Sequence, residues 1–79
     1  MDSPSPLQIQ ARLARTVRDA LATAGISQSR LAELTGIPQS TISRKLSGLG
    51  NFTIPELHLI AFQLGMPMSD LIETMNGAA

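Results

Sequence analysis

At 79 residues, with six acidic and six basic side chains, the chain is expected to fold as a single domain of zero net charge. It has no cysteine and only one histidine, His58, which excludes disulfides and thiolate metal sites and leaves too little for a histidine-based one. No apolar run approaches the ~20 residues of a membrane span, and the N-terminus has no basic-then-apolar leader pattern, so a soluble, cytoplasmic protein is expected.

Met1 to Pro6 (MDSPSP) is polar and broken by prolines, and is predicted to be a flexible leader. From Leu7 the pattern becomes helical: Ile9, Leu13, Val17, Ala20, Leu21 and Ala24 recur at three- and four-residue spacings on one face, and Gly25 ends the run. Ser27 is suited to cap a second helix from Gln28 to Thr35, with Leu31, Ala32 and Leu34 facing inward. Gly36 supplies the break, since glycine takes the positive φ of a sharp inter-helix turn. A third helix, about Gln39 to Ser47, is anchored by Ile42 and Leu46, and Gly48-Leu49-Gly50-Asn51 closes it.

The fourth helix has the clearest start. Thr53 and Glu56 form a T-x-x-E capping box, and Phe52 before the cap can staple onto Leu57. Leu57, Ile60, Ala61 and Leu64 give its core face, and Gly65 its end. A short fifth helix, Met68 to Met75, precedes a tail of residues 76–79. No stretch alternates with a period of two. Hydrophobic residues make up 43% of the chain, so five helices around one apolar core is the expected architecture.

The interval Gln28 to Ser47 (QSRLAELTGIPQSTISRKLS) reads as a packed corner of two helices. Ala32 is small where the second helix crosses the first, Gly36 turns the chain, and Leu31, Ile37 and Ile42 fill the space between. The outward residues at the start of the later helix are then Gln39, Ser40, Thr41, Ser43 and Arg44, which are hydrogen-bonding groups with one charge among them. Reach and donors without bulk are what a helix entering a DNA major groove requires.

This stretch resembles the helix-turn-helix of the phage-repressor and Cro family, also called the xenobiotic-response-element family. The matching residues are Ser27-Gln28, Leu31-Ala32, Gly36-Ile37 and Thr41-Ile42-Ser43. Phe52-Thr53, Glu56-Leu57, Ile60-Ala61 and Leu64-Gly65 are similar to the family's fourth helix, so the likeness runs from about residue 7 to 75. It implies an all-α, compact five-helix, lambda-repressor-like domain that binds duplex DNA sequence-specifically, a repressor of phage immunity or Cro type or a small bacterial regulator. By position it implies that Gln28 contacts a phosphate and braces the recognition helix, and that Gln39 reads a base. Ser40, Thr41, Ser43 and Arg44 reach base edges or phosphates, and Arg30, Lys45 and the loop containing Asn51 meet the backbone.

Three features depart from the family pattern. Pro38 replaces the usual hydroxyl cap of the third helix, the loop after that helix carries no charge, and the net charge is zero. The charges are nevertheless segregated: six bases and three acids precede residue 50, and three acids with no base follow it. These features predict modest non-specific affinity and reliance on dimers or neighbouring bound copies.

Arg12, Arg15 and Arg18 point in separate directions on the first helix and are expected on a solvated face, Arg15 pairing with Asp19. His58 is expected at the surface. The carboxylates are too scattered for acid-base catalysis, so no enzyme activity, metal or cofactor is expected. Leu59 and Phe62 lie opposite the core face of the fourth helix, and Met66, Met68, Leu71, Ile72 and Met75 add more apolar surface than a short helix can hide. Either the fifth helix or the N-terminal arm covers that surface, or it is a self-association face formed by Leu59, Phe62, Met66, Met68, Ile72 and Met75. A two-fold dimer would predict a palindromic operator. The alternative from another class is a protein-interaction module, such as an antitoxin or antirepressor, using the Leu59/Phe62 surface.

Overall fold

Local capping chemistry sets most of the helix boundaries. The computed structural model describes residues 3–76; Met1 and Asp2 of the expected leader and Gly77, Ala78 and Ala79 of the expected tail lie outside the described residues. Five helices follow: α1 (Pro6–Ala24), α2 (Gln28–Thr35), α3 (Gln39–Leu46), α4 (Ile54–Leu64) and α5 (Met68–Met75). No strand occurs among the described residues.

α1 begins earlier than its apolar pattern indicates. The Gln8 N–H donates to Ser5 Oγ at 3.2 Å, and the Ser5 N–H donates to Gln8 Oε1 at 2.8 Å, a reciprocal capping box. Pro6 occupies the first helical position, where a missing N–H costs nothing. Ser5 and Pro6 therefore belong to the helix start, which corrects the expected extent of the leader. At the other end the Gly25 N–H donates to the Ala22 carbonyl and the Ile26 N–H to the Leu21 carbonyl, a Schellman closure. Gly65 and Met66 repeat it at the end of α4. The two caps expected from sequence are present: Ser27 Oγ accepts the Arg30 N–H at 3.0 Å, and Thr53 and Glu56 exchange bonds across the first turn of α4.

The buried core takes side chains from all five helices: Leu13, Ala14, Val17 and Leu21 of α1, Leu31 of α2, and Ile42 and Leu46 of α3. Phe52 before α4, Leu57, Ile60 and Ala61 on it, and Leu71 of α5 complete it. No polar or charged residue is buried among the described residues. The stabilisation is thus apolar burial, worth roughly 1.5–3 kcal/mol for each large side chain fully enclosed. Ala24, placed on the core face by periodicity, is exposed, and Ala20, Ala32 and Leu34 are half-buried. α1 packs against α3, α4 and α5, α2 packs against α3 and α4, and α4 packs against α5.

The corner between α2 and α3 is built from three adjacent groups. Gly36 takes a left-handed conformation (φ 76°, ψ 4°), and its N–H donates to the Ala32 carbonyl at 2.9 Å. The Thr35 hydroxyl donates to the Leu31 carbonyl at 2.8 Å and accepts the Ile37 N–H at 3.2 Å. That single hydroxyl satisfies one group on each side of the bend. A Cβ at Gly36 would meet nothing within 4 Å, so the requirement for glycine here is backbone conformation and not space. Gly36→Ala is accordingly expected to destabilise the domain by about 1 kcal/mol, and Gly36→Asn by less, because Asn tolerates this region better. Urea unfolding should show both as a lowered midpoint with unchanged slope; an unaltered midpoint in the alanine variant would contradict the role given to the turn.

Candidate nucleic-acid interface

α3 is held from behind and left open at its tip. Ile42 and Leu46, one turn apart on α3, are buried, which fixes the face the helix turns to the core. Gln39 and Ser40 in its first turn are consequently exposed, Thr41 is half-buried at the edge, and Arg44 is exposed a turn further along. Pro38 precedes the helix and supplies no side-chain cap, so no protein side chain occupies the first-turn N–H groups. The Arg44 guanidinium has no hydrogen-bond or ion-pair partner among the described residues.

Three polar ties fix the remainder of α3, each to a different helix. The Ser43 hydroxyl donates to Gln28 Oε1 at 2.8 Å, joining α3 to α2. This bond places Gln28 as a brace on α3. It also turns Ser43, expected among the reading residues, toward the protein. Both side chains are half-buried. Lys45 Nζ donates to both carboxylate oxygens of Glu56, at 2.6 and 2.8 Å, joining α3 to α4. The Arg18 guanidinium donates to the Leu46 carbonyl, tying α1 to the end of α3, where the outgoing carbonyls favour a cation.

Two of these ties depart from sequence expectation. Lys45, expected to reach the nucleic-acid backbone, has a side chain only 11% exposed, with its ammonium occupied by Glu56. Arg18 is exposed, as expected, but its guanidinium is also engaged by the end of α3. The expected Arg15–Asp19 pair does not form; among the described residues the ion pairs are Arg30–Glu33 and Lys45–Glu56. Arg30 meets Glu33 at 3.3 Å with both side chains mostly exposed, a surface pair that opens readily to a stronger anion. Asn51 is exposed in the loop after α3. Sequence reasoning missed Gln10, whose Oε1 accepts the Phe52 N–H at 2.8 Å and so ties that loop to α1.

The apolar surface on α4 and α5 is not covered by the described part of the chain. Phe62 is 81% exposed and Leu59 45% exposed, so neither α5 nor the described part of the N-terminal arm covers them, and Ile72 on α5 is also 45% exposed. Met66, Met68 and Met75 instead pack partly against the core. His58 is exposed, as expected.

Opposing influences act on the Glu56 carboxyl. Its burial raises the pKa, but the hydrogen bonds from the Lys45 ammonium and the Thr53 N–H outweigh this and hold it below its ordinary value. A carboxyl depressed in the folded state stabilises the fold above its unfolded pKa of about 4.3. That contribution disappears as pH falls through the folded value. The thermal midpoint of the protein should therefore fall more steeply on acidification below about pH 4.3 than that of Glu56→Gln. Parallel profiles would show that the carboxylate is not held as the geometry indicates.

Comparison with known proteins agrees with the geometry. No curated protein matches the chain. The family model described as Cro/C1-type HTH DNA-binding domain matches residues 16–76, from the middle of α1 to the end of α5. This match, over most of the chain and in keeping with the turn at Gly36 and the braced α3, shows that the chain belongs to the Cro/C1-type helix-turn-helix DNA-binding domain family.

Proposed function

We propose that this chain is a sequence-specific, duplex-DNA-binding transcriptional regulator, acting as a repressor of the phage immunity or Cro type, or as a small bacterial regulator. The observation that carries the proposal is the exposed, uncapped first turn of α3 above a helix fixed on three sides. In this reading α3 enters the major groove. Gln39 pairs with adenine N6 and N7, an interaction worth about 1–3 kcal/mol of discrimination. Ser40 and Thr41 reach neighbouring base edges, and Arg44 reaches a guanine or a phosphate. Gln28, Arg30 and Asn51 contact the phosphate backbone, where they position the domain without reading sequence. The site of action is the cytoplasm of a bacterium or of a phage-infected host, at the nucleoid.

A second copy of the chain is the occupant we assign to the apolar face of Leu59, Phe62 and Ile72. One short helix reads only a few base pairs, and two of them about 34 Å apart would read a palindromic operator. The acidic residues Asp70 and Glu73 and the absence of any basic residue on α5 make this face unsuited to DNA and compatible with a contact between proteins.

Selection of bound sequences from a random duplex pool should yield a defined operator, and affinity for it should fall steeply with salt. Gln39→Ala with Arg44→Ala should abolish the preference for that operator while the helical signal is retained. Retained preference in the double variant would refute the assignment of these reading residues. Phe62→Glu should lower the sedimentation-derived mass from dimer to monomer and leave only weak half-site binding. A wild-type protein that is monomeric at every concentration would refute the dimer. Salt-independent capture of a protein through the same face, without operator selection, would favour the interaction-module alternative.

A further inference from the structure

The Lys45–Glu56 pair is more enclosed than a surface ion pair. Lys45 Nζ lies 2.6 and 2.8 Å from the two carboxylate oxygens, and Glu56 Oε1 also accepts the Thr53 N–H at 2.8 Å. One carboxylate thus closes the first turn of α4 and holds the last turn of α3. The side chains are 11% and 19% exposed. The backbone of the following loop lies against the lysine stem: a Cβ on Gly50 would sit 3.3 Å from Lys45 Cγ and 3.7 Å from Arg44 Nε. Arg44, the neighbouring residue, is exposed and has no partner among the described residues. Two adjacent basic side chains at the end of one helix therefore have opposite circumstances.

We propose that Glu56, acting through Lys45, is a positioning residue for operator reading: it fixes the pose of α3 relative to α4 and withholds the Lys45 charge from DNA. The inference rests on the DNA-binding reading above and adds a residue that never touches DNA to the determinants of specificity. Enclosure makes the pair suited to this role, because bulk salt screens it less than a surface pair. A shift of the α3 axis moves Gln39 and Arg44 together, so its effect falls on discrimination between sequences.

The test compares Lys45→Met, Lys45→Arg and Arg44→Met, measuring affinity for the selected operator and for random duplex across a salt series. Arg44→Met should reduce the slope of log K against log salt by about 0.9, the effect of one lost phosphate contact, or remove discrimination at one base position. Lys45→Met should leave the slope unchanged while the operator-to-random ratio falls about tenfold, within the range of one good base contact. Lys45→Arg, which keeps the pair, should retain the ratio. A Lys45→Met slope lower by about 0.9, with operator and random duplex weakened equally, would overturn the proposal by showing a phosphate contact. An unchanged slope with an unchanged ratio would overturn it as well.

Should Lys45→Met fail to fold by circular dichroism, Glu56→Gln carries the same test, with a fallen ratio and an undiminished slope expected and an unchanged ratio contradicting it. A wild-type protein with no salt-dependent duplex binding would instead overturn the DNA reading itself, and this proposal with it.

Discussion

Everything at the candidate interface depends on α3 being immobilised through its own inner face and last turns. Two buried residues, Ile42 and Leu46, orient the helix, and packing of that kind is unforgiving of small displacements. Polar ties to Gln28, Glu56 and Arg18 then act from α2, α4 and α1. None of the three uses Gln39, Ser40 or Arg44, so the helix is rigid without consuming the groups that face outward. A reading surface has to combine these properties, because hydrogen-bond discrimination requires donors held in place before the partner arrives.

The charge balance follows from the same construction. Of the six basic side chains, Arg18 and Lys45 serve the fold, and Arg30 is paired with Glu33 at the surface. Arg44 is the cation on α3 without a partner among the described residues, and the loop after it, Gly48 to Asn51, has no charge. Arg12 and Arg15 on α1 are also exposed and unpaired among the described residues, so three of the six cations have no such partner, but only Arg44 of these lies on α3 and the net charge is zero. On the proposed reading, affinity comes from hydrogen bonding by α3 and from two copies engaging one operator together. Among the described residues the fully buried core is apolar, and the enclosed charges of Lys45 and Glu56 neutralise each other.

Much of this was legible in the sequence where the determinants are local. The Thr53/Glu56 box, the Ser27 cap, the turn at Gly36 and the four-residue spacing of Leu13, Val17 and Leu21 each depend on residues within one or two turns of one another. The start of α1 is equally local, yet Pro4 and Pro6 read as breakers and mask the Ser5–Gln8 capping box, although Pro6 sits at the first helical position. Long-range ties were not legible. Arg18 meets a carbonyl 28 residues away and Gln10 an amide 42 residues away, and neither pairing leaves a periodic trace. Lys45 reads as a basic residue on a DNA-facing helix, and only the packing of α4 brings Glu56 to it. Local spacing reports caps and faces; it does not report which charge the tertiary fold will consume.

Chemical-shift mapping of the isotope-labelled protein, titrated with a duplex taken from the selected pool, tests the central claim most directly. The account predicts that the backbone amides of Gln39, Ser40 and Thr41 and the side chains of Gln39 and Arg44 respond most strongly, with weaker changes at Gln28, Arg30 and Asn51. Perturbation centred on Leu59, Phe62 and Ile72, with the first turn of α3 unaffected, would contradict it.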